Sequence, residues 1–257
     1  MAGVMIFILG IVIGSFLNVC IYRLPLKKSI VTSPSACPAC GERLQPLDLV
    51  PVFSYLFLGG KCRYCKTAIS AQYPLIEALN GLLYALLYIR FGLVWPLPVS
   101  MALVSLLLVI SMIDLRHMEI PNGLVVFGLV IGLAQLAASV FTPYFGAWHS
   151  YVIGLFAGAV PLLLIALIGA LVLKRDAMGG GDVKLMAFAG LIIGWQLTIT
   201  AYVIGIFTGA LAGVALMALG KRKRTDAIPF GPFLSLGVVL SLFFGHAIIN
   251  WYLGLVL

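Results

Sequence analysis

Eight stretches of this chain are apolar for about as long as a bilayer is thick, and that excludes most of what a polypeptide can fold into. They fall at about residues 4–22, 74–91, 96–113, 121–141, 150–173, 183–195, 197–219 and 229–256. About 20 apolar residues cross the hydrocarbon as a helix. Backbone in lipid must satisfy its own hydrogen bonds, so such runs become helices packed on one another. The stretch 183–195 is short for a span. Charged residues make up 9% of the chain and hydrophobic ones 63%, against about a quarter charged in soluble domains. The expected fold is an all-α membrane protein of about eight transmembrane helices, with a polar insertion between the first and second.

The net charge of +8 reads as topology, because Lys and Arg sit between apolar runs and mark cytoplasmic loops. The insertion, residues 23–73, carries Arg23, Lys27, Lys28, Arg43, Lys61, Arg63 and Lys66 against Glu42 and Asp48. It is expected in the cytoplasm. Alternating the spans then puts loops 114–121, 174–182 and 221–226 on the same side, with every Lys and Arg inside except Arg90. Lys221-Arg222-Lys223-Arg224 reads as a topology anchor. The expected surroundings are membrane lipid, with no nucleic-acid partner. The first run follows no basic leader and precedes no small-residue cleavage site, so it reads as a retained span.

Inside the insertion lie Cys37-Pro38-Ala39-Cys40 and Cys62-Arg63-Tyr64-Cys65. Two C-x-x-C pairs about 20 residues apart match the spacing of a four-cysteine zinc site. Four protein ligands leave no open position, so the expected zinc is structural. Cytoplasmic placement argues against disulfides, and a metal would fold a segment too poor in apolar residues to build its own core. Cys20 has no partner at that spacing and reads as a small buried apolar residue.

Two carboxylates lie beside the apolar runs. Asp114 ends the third span. Asp182 stands behind Gly179-Gly180-Gly181 at the mouth of the sixth. A third span that starts outside ends inside, and a sixth starts inside. Both carboxylates therefore reach the same membrane boundary, whatever the overall orientation. A pair sharing one site holds a single proton between them. One member can then take a proton from water while the other polarises a peptide carbonyl, which is aspartic-protease chemistry. Two such residues also suit a proton- or cation-coupled transporter. Asp114 could instead pair with Arg116, and Asp182 could cap its own helix. His117-x-Glu119 is not an H-E-x-x-H zinc motif, and no G-x-S-x-G is present, so a metalloprotease and a serine nucleophile are unsupported. Gly154, Gly158, Gly205, Gly209 and Gly213 read as helix-packing positions, and Asn18 as a hydrogen bond to a neighbouring helix.

Taken together, the motifs resemble those of the type IV prepilin peptidases, bacterial inner-membrane leader peptidases and N-methyltransferases. The resemblance rests on Gly14-Ser15-Phe16-Leu17-Asn18-Val19 with Tyr22-Arg23-Leu24-Pro25, both C-x-x-C pairs, and Ile69-Ser70-Ala71-Gln72-Tyr73-Pro74-Leu75-Ile76-Glu77. It extends to Asp114 with Ile120-Pro121, to Gly179–Asp182 with Lys184-Leu185, and to Ile228-Pro229-Phe230-Gly231-Pro232-Phe233. It implies that Asp114 and Asp182 are the catalytic pair, and that the substrates are prepilins or pseudopilins cut after a glycine. It also implies that the new N-terminal residue is methylated from S-adenosylmethionine in association with the cysteine-bearing segment. The implied organisation is a first transmembrane helix at 1–22, a four-cysteine zinc-binding segment linked to N-methylation at 23–73 and a peptidase domain at 74–257. Glu77 is expected to support methyl transfer or to bond near Asn80. Where the family usually has Asp-Asn-Ile-Pro, this chain has Asp48-Leu49-Val50-Pro51, so Leu49 replaces an amide.

Overall fold

The structure is a computed structural model that describes residues 1–32, 34–141, 147–173, 178–220 and 228–256; the basic run 221–224 lies outside the described residues. The described residues hold nine α-helices: α1 (Ala2–Arg23), α2 (Phe53–Phe57), α3 (Gln72–Phe91), α4 (Pro96–His117), α5 (Asn122–Phe141), α6 (Trp148–Leu173), α7 (Gly180–Ile193), α8 (Trp195–Ala218) and α9 (Gly231–Val256). Seven are long and apolar enough to cross a bilayer. The short helix α7 makes the eighth of the expected set, while α2 is a single turn in the polar insertion. β pairing among the described residues is confined to two isolated bridges, Ala36 with Arg43 and Lys61 with Ala68.

The chain divides into two compact units, Met1–Val109 and Ile110–Leu257. The first is built on α1 against α3. Lipid supplies no hydrophobic drive between helices, so close backbone contact and interhelical hydrogen bonds must hold them. Gly10 and Gly14 provide the contact. A Cβ on either would come within 2.7 Å of the α3 backbone, at Gly81 and Glu77 respectively. Asn18 Nδ2 donates to Tyr73 O at 3.1 Å, as the polar residue within an apolar run suggests. Asn80, fully buried, donates to Gly10 O at 2.7 Å and accepts from Ser105 Oγ at 3.0 Å. Ser105 also bonds Tyr84 OH at 3.0 Å, which ties α4 to the pair. Each such bond contributes about 0.6–2 kcal/mol in a membrane. Cys20 is buried, as a small apolar residue would be.

In the second unit α7 is central, packed by α5, α6, α8 and α9. Its 14 residues rise about 21 Å, short of the roughly 30 Å hydrocarbon. A helix that stops short is tolerated where protein, rather than lipid, surrounds its ends. Leu185, Met186, Phe188 and Ala189 are fully buried. Gly194, at φ +81, ends α7 and opens α8 directly. The α6–α7 seam is closest at the glycines. A Cβ on Gly190 would meet Gly154 O at 2.0 Å, and one on Gly158 would meet Met186 O at 1.9 Å. Tyr202 on α8 donates its hydroxyl to Gly158 O.

This seam admits no side chain. Gly190→Ala should therefore destabilise the folded protein by about 1–3 kcal/mol or more, the usual cost of overpacking. Gly254→Ala, whose Cβ would meet nothing within 4 Å, should have little effect. Thermal unfolding in detergent checks both, and equal midpoints would contradict the packing described.

Candidate active site and metal centre

Asp114 lies in the last turn of α4 and is 6% exposed. Asp182 lies in the first turn of α7 and is half-buried. The two converge on Gly231, the first residue of α9. A Cβ there would stand 2.7 Å from Asp114 Oδ2 and 3.5 Å from Asp182 Oδ1, so both carboxylates lie within 3.5 Å of one point. Gly231 N–H donates to Asp114 Oδ2 at 3.0 Å. The first N–H groups of a helix have no partner within it, so Asp114 caps α9 from a different helix. Each carboxylate thus meets the positive end of a helix dipole, α9 for Asp114 and α7 for Asp182. That setting suits negative charge in an apolar surround.

The glycines before Asp182 act through space more than through backbone freedom. None of Gly179, Gly180 and Gly181 has positive φ. A Cβ on Gly181 would come within 3.1 Å of the Ile120 side chain. Gly181 therefore lets the loop after Asp114 seat against the start of α7. Asp182 does not cap its own helix, since the cap position is Gly179, where no side-chain bond is made. Lys184 Nζ donates to Asn122 Oδ1 at 2.9 Å and ties the same two segments again. Of the groups here, Gly231 N–H escapes a reading by residue type. Its hint in the sequence is the run Ile228-Pro229-Phe230-Gly231-Pro232-Phe233, which the family resemblance includes.

The cysteines converge as well. The Sγ atoms of Cys37, Cys40, Cys62 and Cys65 all lie within 4.8 Å of one another, and Cys37 and Cys65 are 3.8 Å apart. A tetrahedron with Zn–S of about 2.3 Å has edges of about 3.8 Å, so the donor set fits such an ion. The two pairs sit on matching knuckles. Cys37 N–H donates to Glu42 O and Gly41 N–H to Cys37 O; Cys62 N–H donates to Thr67 O and Lys66 N–H to Cys62 O. Both turns use positive φ, +74 at Gly41 and +60 at Lys66. Hydrogen bonding with the Thr67 side chain and backbone brings the Cys65 thiol down to about 6. Backbone hydrogen bonds at Cys40 and Ala39 also lower Cys37. At Cys40 a backbone bond at Glu42 works downward, but desolvation and the Cys37 and Cys65 sulfurs push the thiol up to about 11. Four sulfurs this close cannot all ionise unaided, and a divalent cation removes that conflict. The cluster could hold a metal ion.

Glu77 on α3 accepts Val52 N–H at 2.7 Å, while Asn80 bonds to Gly10 and Ser105 instead. Val52 adopts φ +64, a strained conformation for a β-branched residue. Glu77 thus fastens the insertion, just after Pro51, to α3. Asp48 accepts from Arg63 Nε at 2.6 Å and from Gln45 N–H at 3.1 Å, with its side chain 3% exposed.

A family model described as "Bacterial Peptidase A24 N-terminal domain" matches residues 8–91, and one described as "Type IV leader peptidase family" matches residues 101–214. The prepilin leader peptidase/N-methyltransferase of Bacillus subtilis (strain 168) is 34% identical over 252 residues, covering 98% of each chain. That of Pseudomonas aeruginosa is 33% identical over 273 residues, 96% of this chain and 91% of that one. That of Aeromonas salmonicida is 31% identical over 278 residues, 98% of this chain and 94% of that one. No solved structure matches the chain significantly. At that identity over nearly its whole length, the chain belongs to the type IV leader peptidase family.

Proposed function

We propose that this chain is a multi-pass inner-membrane enzyme that removes the leader from type IV prepilins or pseudopilins. It then N-methylates the new N-terminal residue from S-adenosylmethionine. Residues 74–257 would carry the peptidase chemistry, and residues 23–73, behind the first helix at 1–22, the four-cysteine segment linked to methyl transfer. The observation behind the peptidase assignment is the meeting of Asp114 and Asp182 beside Gly231. Two ionised carboxylates within about 6 Å repel by about 3 kcal/mol or more at an effective dielectric constant of about 20, which favours one shared proton. The ionised member takes a proton from water, and the resulting hydroxide attacks the carbonyl carbon of the glycine before the cut. The protonated member hydrogen-bonds the carbonyl oxygen as charge develops there. Collapse breaks the C–N bond, and the leaving nitrogen takes a proton from the pair. A prepilin helix in the bilayer with its leader in the cytoplasm would present this bond at the boundary that the parity of the spans gives both aspartates. The transport reading that two such carboxylates leave open has no support in the family.

Methyl transfer would act on the amine just released. The donor would supply a methyl group to that amine, its sulfur leaving with the carbon–sulfur electron pair and the amine's proton passing to water. Zinc suits the Cys37, Cys40, Cys62 and Cys65 sulfurs, and four thiolate ligands leave it a structural role.

Asp114→Asn and Asp182→Asn should each reduce prepilin cleavage about 10²-fold or more, the scale of a lost general acid or base. Leader removal from a purified prepilin in detergent, read on a gel, checks this. Cleavage retained by either variant would defeat the dyad. Cys37→Ser should lose bound metal by elemental analysis, and unchanged content would count against the site. Protons compete with a metal for the four sulfurs, so metal content should fall as pH is lowered, and content unchanged into acid would count against thiolate ligation.

A further inference from the structure

The single turn α2 leaves an apolar face bare. Phe53, Leu56 and Phe57 fall at positions i, i+3 and i+4, on one side of the turn, and are 56%, 66% and 86% exposed. Its other side is tied down. Tyr55 donates its hydroxyl to Ile69 O at 3.4 Å, just ahead of Gln72, where α3 begins. Val52, which leads into the turn, donates its N–H to Glu77 in the second turn of α3. Val52 holds φ +64 to do so, and a β-branched residue keeps such a conformation only where its surroundings impose it. The bare face is therefore held in one place and is not the tip of a loose loop.

Those two ties set the height of α2 against the bilayer. α3 is long and apolar enough to span, and Ile69 and Glu77 bracket its first turn. Glu77 lies about 7.5 Å along the helix from Gln72, and its side chain leans back toward that end. Tyr73 stands in the first turn of α3. Tyr22 stands in the last turn of α1, which runs antiparallel to α3, since Gly10 meets Gly81 and Gly14 meets Glu77. Tyrosines at both helix ends mark the membrane–water interface, and the headgroup layer there is about 5–8 Å deep. α2 lies at that depth. The exposed charge around it is positive. Arg63 is engaged by Asp48, which leaves the exposed Lys27, Lys28, Arg43, Lys61 and Lys66 against Glu42. Lys28 Nζ sits 5.9 Å over the Tyr22 ring, and Lys61 N–H donates to Leu58 O directly after α2.

Bare aromatic and aliphatic side chains beside lysines, at headgroup depth, suit an anionic lipid surface. We propose that α2 is a foot resting in the headgroup layer of an anionic leaflet. Phe53, Leu56 and Phe57 enter among the upper acyl chains, and Lys28 and Lys61 meet lipid phosphates. Lipid contact then joins the Glu77 bond in holding the cysteine-bearing insertion down on the bilayer.

The test places the photoreactive residue p-benzoylphenylalanine at Phe57 of the full-length protein, in nanodiscs of mixed phosphatidylglycerol and phosphatidylcholine, and reads adducts by mass spectrometry. Leu79, exposed on α3, carries the same probe as the reference for lipid contact. Phe57 should form lipid adducts at a yield comparable to that of Leu79. In phosphatidylcholine alone its yield should fall about fivefold, the factor that one lysine near an anionic surface carries, while that of Leu79 stays unchanged. Leu56 with the same probe repeats the test should the Phe57 variant not fold. Lipid adducts at Leu79 with none at Phe57 overturn the foot. Adducts at Phe57 confined to a second copy of the chain, or to added prepilin, also overturn it and make the face a protein-docking surface. Equal yields at Phe57 in the two lipid mixtures overturn the assignment to anionic lipid.

Discussion

The hydrogen bond from Gly231 N–H to Asp114 Oδ2 is the contact on which the rest of the candidate site turns. It joins the end of α4 to the start of α9 across 117 positions of sequence. It also gives a buried carboxylate a partner that needs no water, a backbone donor with no partner inside its own helix. Gly231 can do this only as a glycine, because a Cβ would stand 2.7 Å from the oxygen it now bonds. The same bare Cα leaves room for Asp182. The short helix α7 follows from this arrangement. It need not span, because its task is to bring Asp182 to the boundary while α5, α6, α8 and α9 surround it.

Close approach does similar work throughout the second unit. Gly154 against Gly190 and Gly158 against Met186 let α6 lie on α7 with no side chain between them. Gly181 admits Ile120. The two carboxylates are thus positioned by contacts that a bilayer rewards, namely tight backbone packing and satisfied donors. The insertion follows a different rule. Its exposed apolar residues, among them Leu47, Phe53 and Phe57, build no core. Its order comes from two knuckles, the Asp48 bonds, the Glu77–Val52 link and the four sulfurs. A metal on the four sulfurs would tie the two knuckles to each other.

Much of this is legible in the residues alone. Apolar run length yields the helices, including the short one, because the bilayer sets a length scale that sequence cannot evade. Parity of the spans puts Asp114 and Asp182 at one boundary, and C-x-x-C spacing brings the sulfurs together. What escapes is carried by backbone. Gly231 N–H has no residue signature. Val52 at φ +64 runs against the preference of a β-branched residue and shows only once Glu77 is seen to hold it. Glu77 takes Val52 N–H, while Asn80 is engaged by Gly10 and Ser105, on helices the sequence cannot orient. The three glycines before Asp182 suggest an unusual turn, and the structure uses only the space they leave.

The claim beneath all of this is that Asp114 and Asp182, 68 positions apart (182 − 114), share one small space. Replacing both in an Asp114→Cys/Asp182→Cys double variant and treating the protein in native membranes with a short thiol-to-thiol linker tests that claim directly. Mass spectrometry of the digested protein should find the two peptides joined within one chain. If both cysteines take up a monofunctional thiol reagent yet are never joined to each other, the two carboxylates do not meet and the site described here does not exist.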